Sequence, residues 1–145
     1  MEYSITHEDL LELVKEEVSR VADFAYTDDN VALYDAIAIF DRDDATVKRM
    51  ISDASSVVYE RFRDYIIAPT TSQSGTEVFN FYLPDMEESQ KSVASAELTR
   101  FLTFQIVSLW FNERYKSEYD NYLERSTAAL GKAEMALFTR KRFTR

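Results

Sequence analysis

Few side chains in this 145-residue chain could do chemistry, and they do not gather into a pattern. The single histidine, His7, is the natural candidate for a base or a metal ligand. A Ser-His-Asp triad would have to use it, and nothing beside it in the sequence supports one. His7-Glu8-Asp9-Leu10-Leu11 has leucine where a His-Glu-x-x-His zinc site needs its second histidine. A ferritin-like di-iron bundle needs two Glu-x-x-His motifs, which one histidine cannot supply. Asp41-Arg42-Asp43-Asp44 opens like a calcium loop, but Thr46 and Ser52 stand where that loop needs glycine and glutamate. A helix start explains the four residues better. Glu87-Glu88 has no partner motif and reads as a solvated turn. The absence of cysteine removes disulfides and thiolate metal sites. No glycine-rich loop offers to cradle a phosphate. No catalytic residue, cofactor or metal is therefore expected, and an enzyme is not the reading these residues favour.

What remains is the chemistry of contact. The chain has ten Phe, nine Tyr and one Trp, more than a core of this size needs, and an aromatic excess also marks subunit interfaces. Four of the seventeen basic residues lie in the last six positions, Arg140, Lys141, Arg142 and Arg145, flanked by Phe138 and Phe143. Phenylalanine suits an anchor, and arginine a fork-shaped donor to carboxylates. These six residues form a candidate docking segment, with helix capping and a solvated terminus as its competing roles. Phe79, Phe81, Tyr115, Tyr119 and Tyr122 are candidates for a subunit interface. The net charge of −9 argues against broad binding to nucleic-acid phosphates and is compatible with a surface that DNA passes without sticking. Plain solubility explains the charge equally well.

The elements that must position these residues are mainly helical. Two glycines and two prolines leave little punctuation for a many-stranded sandwich. The length suits one domain with a proper core. Thr6 with Asp9 resembles a capping box, and Leu10, Val14, Val18, Val21 and Ala25 recur at helical spacing. A first helix is expected from about Thr6 to Tyr26, stopped by Thr27-Asp28-Asp29-Asn30. Leu33 to Phe40 reads as extended or irregular, with helix as the alternative. A second helix is expected from about Asp44 to Ile67, ahead of Pro69. Thr76 to Leu83 alternates Phe79, Phe81 and Leu83 with Asn80 and Tyr82, the period of a strand. Such a strand needs a partner, either Leu33–Phe40 or a neighbouring subunit. The central helix begins near Ser89 to Ala94 and runs to about Tyr115. Phe101, Leu102, Phe104, Ile106, Val107, Leu109, Trp110 and Phe111 make it apolar on nearly every side. It should thus be covered on nearly every side, with Trp110 and Phe104 largely buried. Its apolar run falls well short of the roughly 20 residues a bilayer needs. A last helix is expected from about Ser117 to Thr139. In it Ser126, Ala129, Ala133 and Ala136 permit close contact, and Gly131 suggests close packing.

The fold class is then mainly α: a four-helix bundle-like domain over residues 1–138, with a short β strand or two-stranded β element between the second and third long helices. Residues 139–145 form a basic tail. No basic region followed by an apolar run opens the sequence, so a cytoplasmic site of synthesis is expected.

The order of these elements resembles the small helical head–tail connector (adaptor, or ring) proteins of tailed phages, especially those of Bacteroides phages. The matching pieces are Leu33-Tyr34-Asp35, Asp41 to Ala54, Ile106 to Phe111 with Trp110, the Tyr122 to Leu137 helix, and the closing Arg140-Lys141-Arg142. They cover about three quarters of the chain. The resemblance implies a structural protein of the virion, present in the host cytoplasm during assembly. It would form a closed homo-oligomeric ring, usually twelve-fold, beneath the portal protein. DNA would pass through the lumen without sequence-specific binding, and further connector or tail proteins would dock on the ring. A C-terminal segment often inserts into the portal in such proteins. A free-standing helical interaction module, monomeric or a two-fold dimer, is the alternative.

Overall fold

The computed structural model describes residues 1–27, 31–67 and 75–141. Four long helices carry the fold: α1 (His7–Ala22), α3 (Asp44–Arg61), α4 (Gln90–Arg114) and α5 (Lys116–Leu137). A one-turn helix, α2 (Tyr34–Ile37), lies between the first two. Strands β1 (Glu2–Thr6) and β2 (Thr76–Asn80) form a two-stranded antiparallel sheet. The chain is mainly α with a small β element, as its composition and periodicity imply.

Helix α4 is the axis. Leu98, Phe101, Leu102, Ile106, Val107, Trp110 and Phe111 are all buried, and α1, α2, α3 and α5 pack around it. It is covered by protein on most of its circumference, and no helix among the described residues is long and apolar enough to cross a membrane. Phe104 is less completely buried than its neighbours, packed against the core with its ring edge-on to Tyr122 of α5 at 5.8 Å. Tyr115 alone separates α4 from α5, so the two run antiparallel as a tight hairpin. The small residues Ser126, Ala129, Ala133 and Ala136 are buried along their seam. Gly131 is not part of that seam. A methyl group added there would meet nothing within 4 Å, so close packing does not explain it. Only its propensity cost of about 1 kcal/mol remains.

The strand partner is neither of the two expected. β2 pairs with the chain's own start, in the register Tyr3 with Phe79 and Ile5 with Glu77. The backbone of Met1 continues the ladder with Phe81. Leu33–Phe40 is not a strand. Ile37, Ala38 and Ile39 are buried in succession, which an alternating strand cannot do, and the Ile37 carbonyl accepts a 2.6 Å hydrogen bond from the Trp110 indole. Thr6 caps α1 as expected, its hydroxyl accepting from the Asp9 amide. The helix nevertheless ends four residues early, because Ala25 and Tyr26 take backbone partners from residues 32 and 33: Tyr26 pairs with Ala32, and the Leu33 N–H donates to the Ala25 carbonyl. Helix α3 also stops early, at Arg61. Ile66 and Ile67 instead run beside β2, where Ile67 N–H donates to Asn80 and Tyr82 N–H to Tyr65. β2 and its continuation are thus flanked on both sides. Gly75, at φ +86°, takes the left-handed turn into β2, a conformation that costs a side-chain-bearing residue energy.

Alternation in β1 turns Tyr3 inward, where it is buried and shares a hydrogen bond with Thr99 on α4. Burial pushes the Tyr3 phenol up to about 12, against a smaller opposing pull from Thr99. The unfolded phenol ionises near 10, so this contribution is complete below pH 10 and is lost as the pH rises through about 12. Wild type should lose on the order of 1 kcal/mol to this group by pH 11. Denaturant titrations at pH 9, 10 and 11 should show a shallower fall in Tyr3→Phe. The fall persists in part, because Tyr122 is raised too, by burial first and then by its bond to Glu17.

Candidate docking surfaces

The last turn of α5 and the residues just after it build the first surface. Helix α5 ends at Leu137, and Phe138 lays its ring against Tyr65 (centroids 4.7 Å apart, edge-on) and more loosely against Phe62. The chain then returns as an extended segment opposite residues 85–87. Thr139 accepts from the Glu87 amide at 2.8 Å, and the Lys141 amide donates to Asp85 at 2.8 Å. Tyr65, Tyr82, Leu83, Pro84, Met86 and Phe138 line an open cleft of about 370 Å³ beside this segment, together with the charged Asp64, Asp85 and Arg140. Tyr82 is 66% exposed, the outward partner of the buried Phe81 on the alternating strand.

The sequence-derived docking residues therefore divide. Phe138 is a partly covered anchor that closes the aromatic cluster at the end of α3. Arg140 and Lys141 are exposed, side by side on the segment that pairs with 85–87. Their backbone belongs to the domain, so a boundary after residue 138 does not match the hydrogen bonding. Arg142, Phe143 and Arg145 lie outside the described residues. Compared with family models, curated proteins and solved structures, the chain gives no match.

Of the aromatics assigned to a subunit interface, three are consumed inside the chain. Phe79 and Phe81 are buried between the sheet and the helices, where Phe79 stacks on Tyr3 and meets Tyr59 edge-on. Tyr122 is buried against Phe111, its hydroxyl donating to Glu17 of α1 at 2.8 Å. Phe79 and Phe81 lie too deep to meet another molecule without unpacking the domain, whereas Tyr122 also lines a groove at the surface. Tyr115 and Tyr119 are half-buried against the core. Tyr115 also lines a groove of about 490 Å³ between α1 and the start of α5, together with Glu17, Arg20, Phe24, Glu118 and Arg125.

A second exposed surface, not flagged by the sequence, adjoins that groove. In the loop after α1, Phe24 is 82% exposed, Val31 59% and Tyr26 56%. Phe24 sits beside the first turns of α5, whereas the Phe138 cleft sits beside its last. A helix of 22 residues spans about 33 Å, so the two surfaces are well separated. The lone histidine takes neither side. His7 Nε2 lies 2.9 Å from the buried Glu77 carboxylate and ties the start of α1 to β2.

Proposed function

We propose that this chain is a structural assembly protein, a head–tail connector that forms a closed ring beneath a phage portal. The observation that carries the reading is the pair of unlike aromatic surfaces at the two ends of α5. A ring with rotational closure joins one surface of each copy to a different surface of the next. Exposed rings of this size are otherwise costly to leave in water, and grouped apolar patches mark contact sites. The resemblance of the element order to connector proteins supports the same reading. The net charge of −9 suits a lumen through which DNA slides. The Arg140–Lys141 segment is the part that meets the portal.

Purified protein mixed with the portal of the same genome should appear in negative stain as a ring seated on it. A dimer indifferent to the portal would instead make the chain a free-standing interaction module. The basic segment is tested by substitution rather than deletion. Removing residues 139–145 takes away the bonds of Thr139 and Lys141 to residues 85–87, a loss of about 1–3 kcal/mol that confuses folding with binding. Arg140→Glu with Lys141→Glu leaves the backbone pairing intact. The double variant should melt within a few degrees of wild type and fail to co-sediment with the portal at moderate salt. Unchanged binding would refute the role of this segment.

A further inference from the structure

We propose that Phe138–Lys141 is a self-occluding strap: it lifts off residues 85–87 as a unit while the helices stay folded, and when closed it conceals an aromatic trough between the end of α3 and residues 82–86. The inference concerns the same end of the molecule as the portal-facing segment but does not depend on that role.

The first observation is how little holds the strap. Among the described residues, two backbone bonds tie it to the rest of the domain, Glu87 N–H to the Thr139 carbonyl and Lys141 N–H to the Asp85 carbonyl. Its other bonds turn back into α5. The Phe138 and Thr139 amides donate to Glu134 and Ala136, and the Thr139 hydroxyl donates to Met135. Those local bonds make a hinge. Arg140 and Lys141 are exposed, and no carboxylate among the described residues forms an ion pair with either.

The second is packing. Phe138 is the strap's only apolar side chain, and it is 37% exposed. Its ring meets Tyr65 edge-on and lies more loosely against Phe62. Two hollows share Phe138 and Tyr65 as walls: the cleft of about 370 Å³, and a second of about 320 Å³ lined also by Arg61, Phe62 and Glu134. A ring with open space beside it forfeits the contacts that a close-packed interior supplies. Segments with few buried contacts and few bonds open locally, well before the whole domain unfolds.

The third is what lies beneath. Phe62, Met86 and Leu137 are buried, and they belong to the core rather than to the strap. Once the strap lifts, the two hollows join into one trough walled by Phe62, Tyr65, Tyr82, Leu83, Pro84 and Met86. The Arg61–Glu134 ion pair, 2.7 Å across, stands at its rim. Phe138 is the trough's present occupant, so its chemistry defines the competitor: an aromatic or aliphatic side chain presented by a partner. Uncovered apolar surface of this kind draws either the strap or such a side chain back onto it. The contact is therefore autoinhibitory.

Amide exchange tests the unit. Glu87 belongs to the receiving strand and Lys141 to the strap, so one opening event must release both. Their protection factors should agree within about threefold and lie about 100-fold or more below those of Ala129 and Leu130 in α5. A fast Lys141 with a slow Glu87 would mean simple fraying, and two amides as slow as α5 would mean opening only by global unfolding. Either result overturns the strap. The chain has no cysteine, so a lock can be placed cleanly. Asp85→Cys with Lys141→Cys places thiols at exposed positions next to the Met86–Arg140 bridge. Oxidation should slow Glu87 exchange at least tenfold, and a reductant should restore it. Indifference to the lock would overturn the proposal. Phe138→Ala should speed Glu87 exchange at least tenfold, with the near-ultraviolet dichroism of Trp110 unchanged and the melting temperature within a few degrees of wild type. The neutral dye Nile red should fluoresce strongly with Phe138→Ala and weakly with the oxidised double variant. Equal dye binding by the two would mean that no trough is concealed, and would overturn the autoinhibitory contact.

Discussion

Trp110→Ala should lower stability by about 3–5 kcal/mol and the melting temperature by roughly 6–20 °C. Trp110 is the largest fully buried side chain, at 1% exposure near the end of the helix that every other helix touches. Its removal leaves a cavity that the close-packed hairpin of α4 and α5 cannot readily collapse into. It also takes away the donor to the Ile37 carbonyl, a buried acceptor 2.6 Å away. That bond holds Ile37, Ala38 and Ile39 over α4, so its loss loosens the connection between α1 and α3 as well. The Arg114 guanidinium lies 3.6 Å from the centre of the indole face and loses its partner too. Trp110→Phe separates the two contributions. It restores most of the apolar volume but strands the carbonyl, which alone costs about 1–3 kcal/mol. Thermal melts by circular dichroism should therefore rank wild type, Trp110→Phe and Trp110→Ala in that order. A Trp110→Ala melt within 3 °C of wild type would sink the claim that this helix organises the fold.

How far the sequence itself announces this architecture depends on the range of the interactions involved. The central helix is legible because its apolar residues leave no polar side, a local property of one stretch. The caps and breaks near Thr6, Asp44 and Pro84 are equally local. β1 carries a signal too: Met1, Tyr3 and Ile5 alternate with Glu2, Ser4 and Thr6. The alternation spans only six residues and runs straight into a helix cap, which hides it. The ends of α1 and α3 are misjudged for a different reason. Ala25 and Ile66 continue a helical spacing, but backbone partners far away, or across a loop, claim them first. The same limit governs the docking surfaces. Phe138, Arg140 and Lys141 stand out by composition. Nothing in the neighbourhood of Phe24 or Tyr82 tells which ring the rest of the chain will leave uncovered. Phe79, Phe81 and Tyr122 look surplus when aromatics are counted, yet the sheet and the α1–α5 contact absorb them. An aromatic count therefore signals that some rings are exposed, and long-range packing decides which.

The second large effect is expected at Phe79. Phe79→Ala should cost about 3–5 kcal/mol, as much as the loss of the tryptophan. Phe79 is fully buried and is the point at which three parts of the chain meet. Tyr3 of β1 stacks on it at 5.8 Å, Tyr59 of α3 meets it edge-on at 5.0 Å, and Phe81 lies 6.4 Å away on the same face of the strand. Aromatic pairs of this kind add about 0.5–1.5 kcal/mol each beyond the area they bury. A two-stranded sheet is not stable alone and needs packing against other elements, so the sheet depends on this face. The substitution should consequently release β1 as well as weaken the core. Amide exchange at Phe81, whose N–H donates to the Met1 carbonyl, should rise by a larger factor than exchange in the middle of α5. A double-mutant cycle between Tyr3→Ala and Phe79→Ala should give a coupling of about 0.5–1.5 kcal/mol, because each removes the other's stacking partner. Strict additivity, with Phe81 exchange unchanged relative to α5, would mean that β1 is held by its backbone bonds alone. The interior placement of Phe79 also makes a second test available. If the ring were instead a contact between copies, Phe79→Ala would weaken assembly while leaving the melting temperature of the dilute protein untouched.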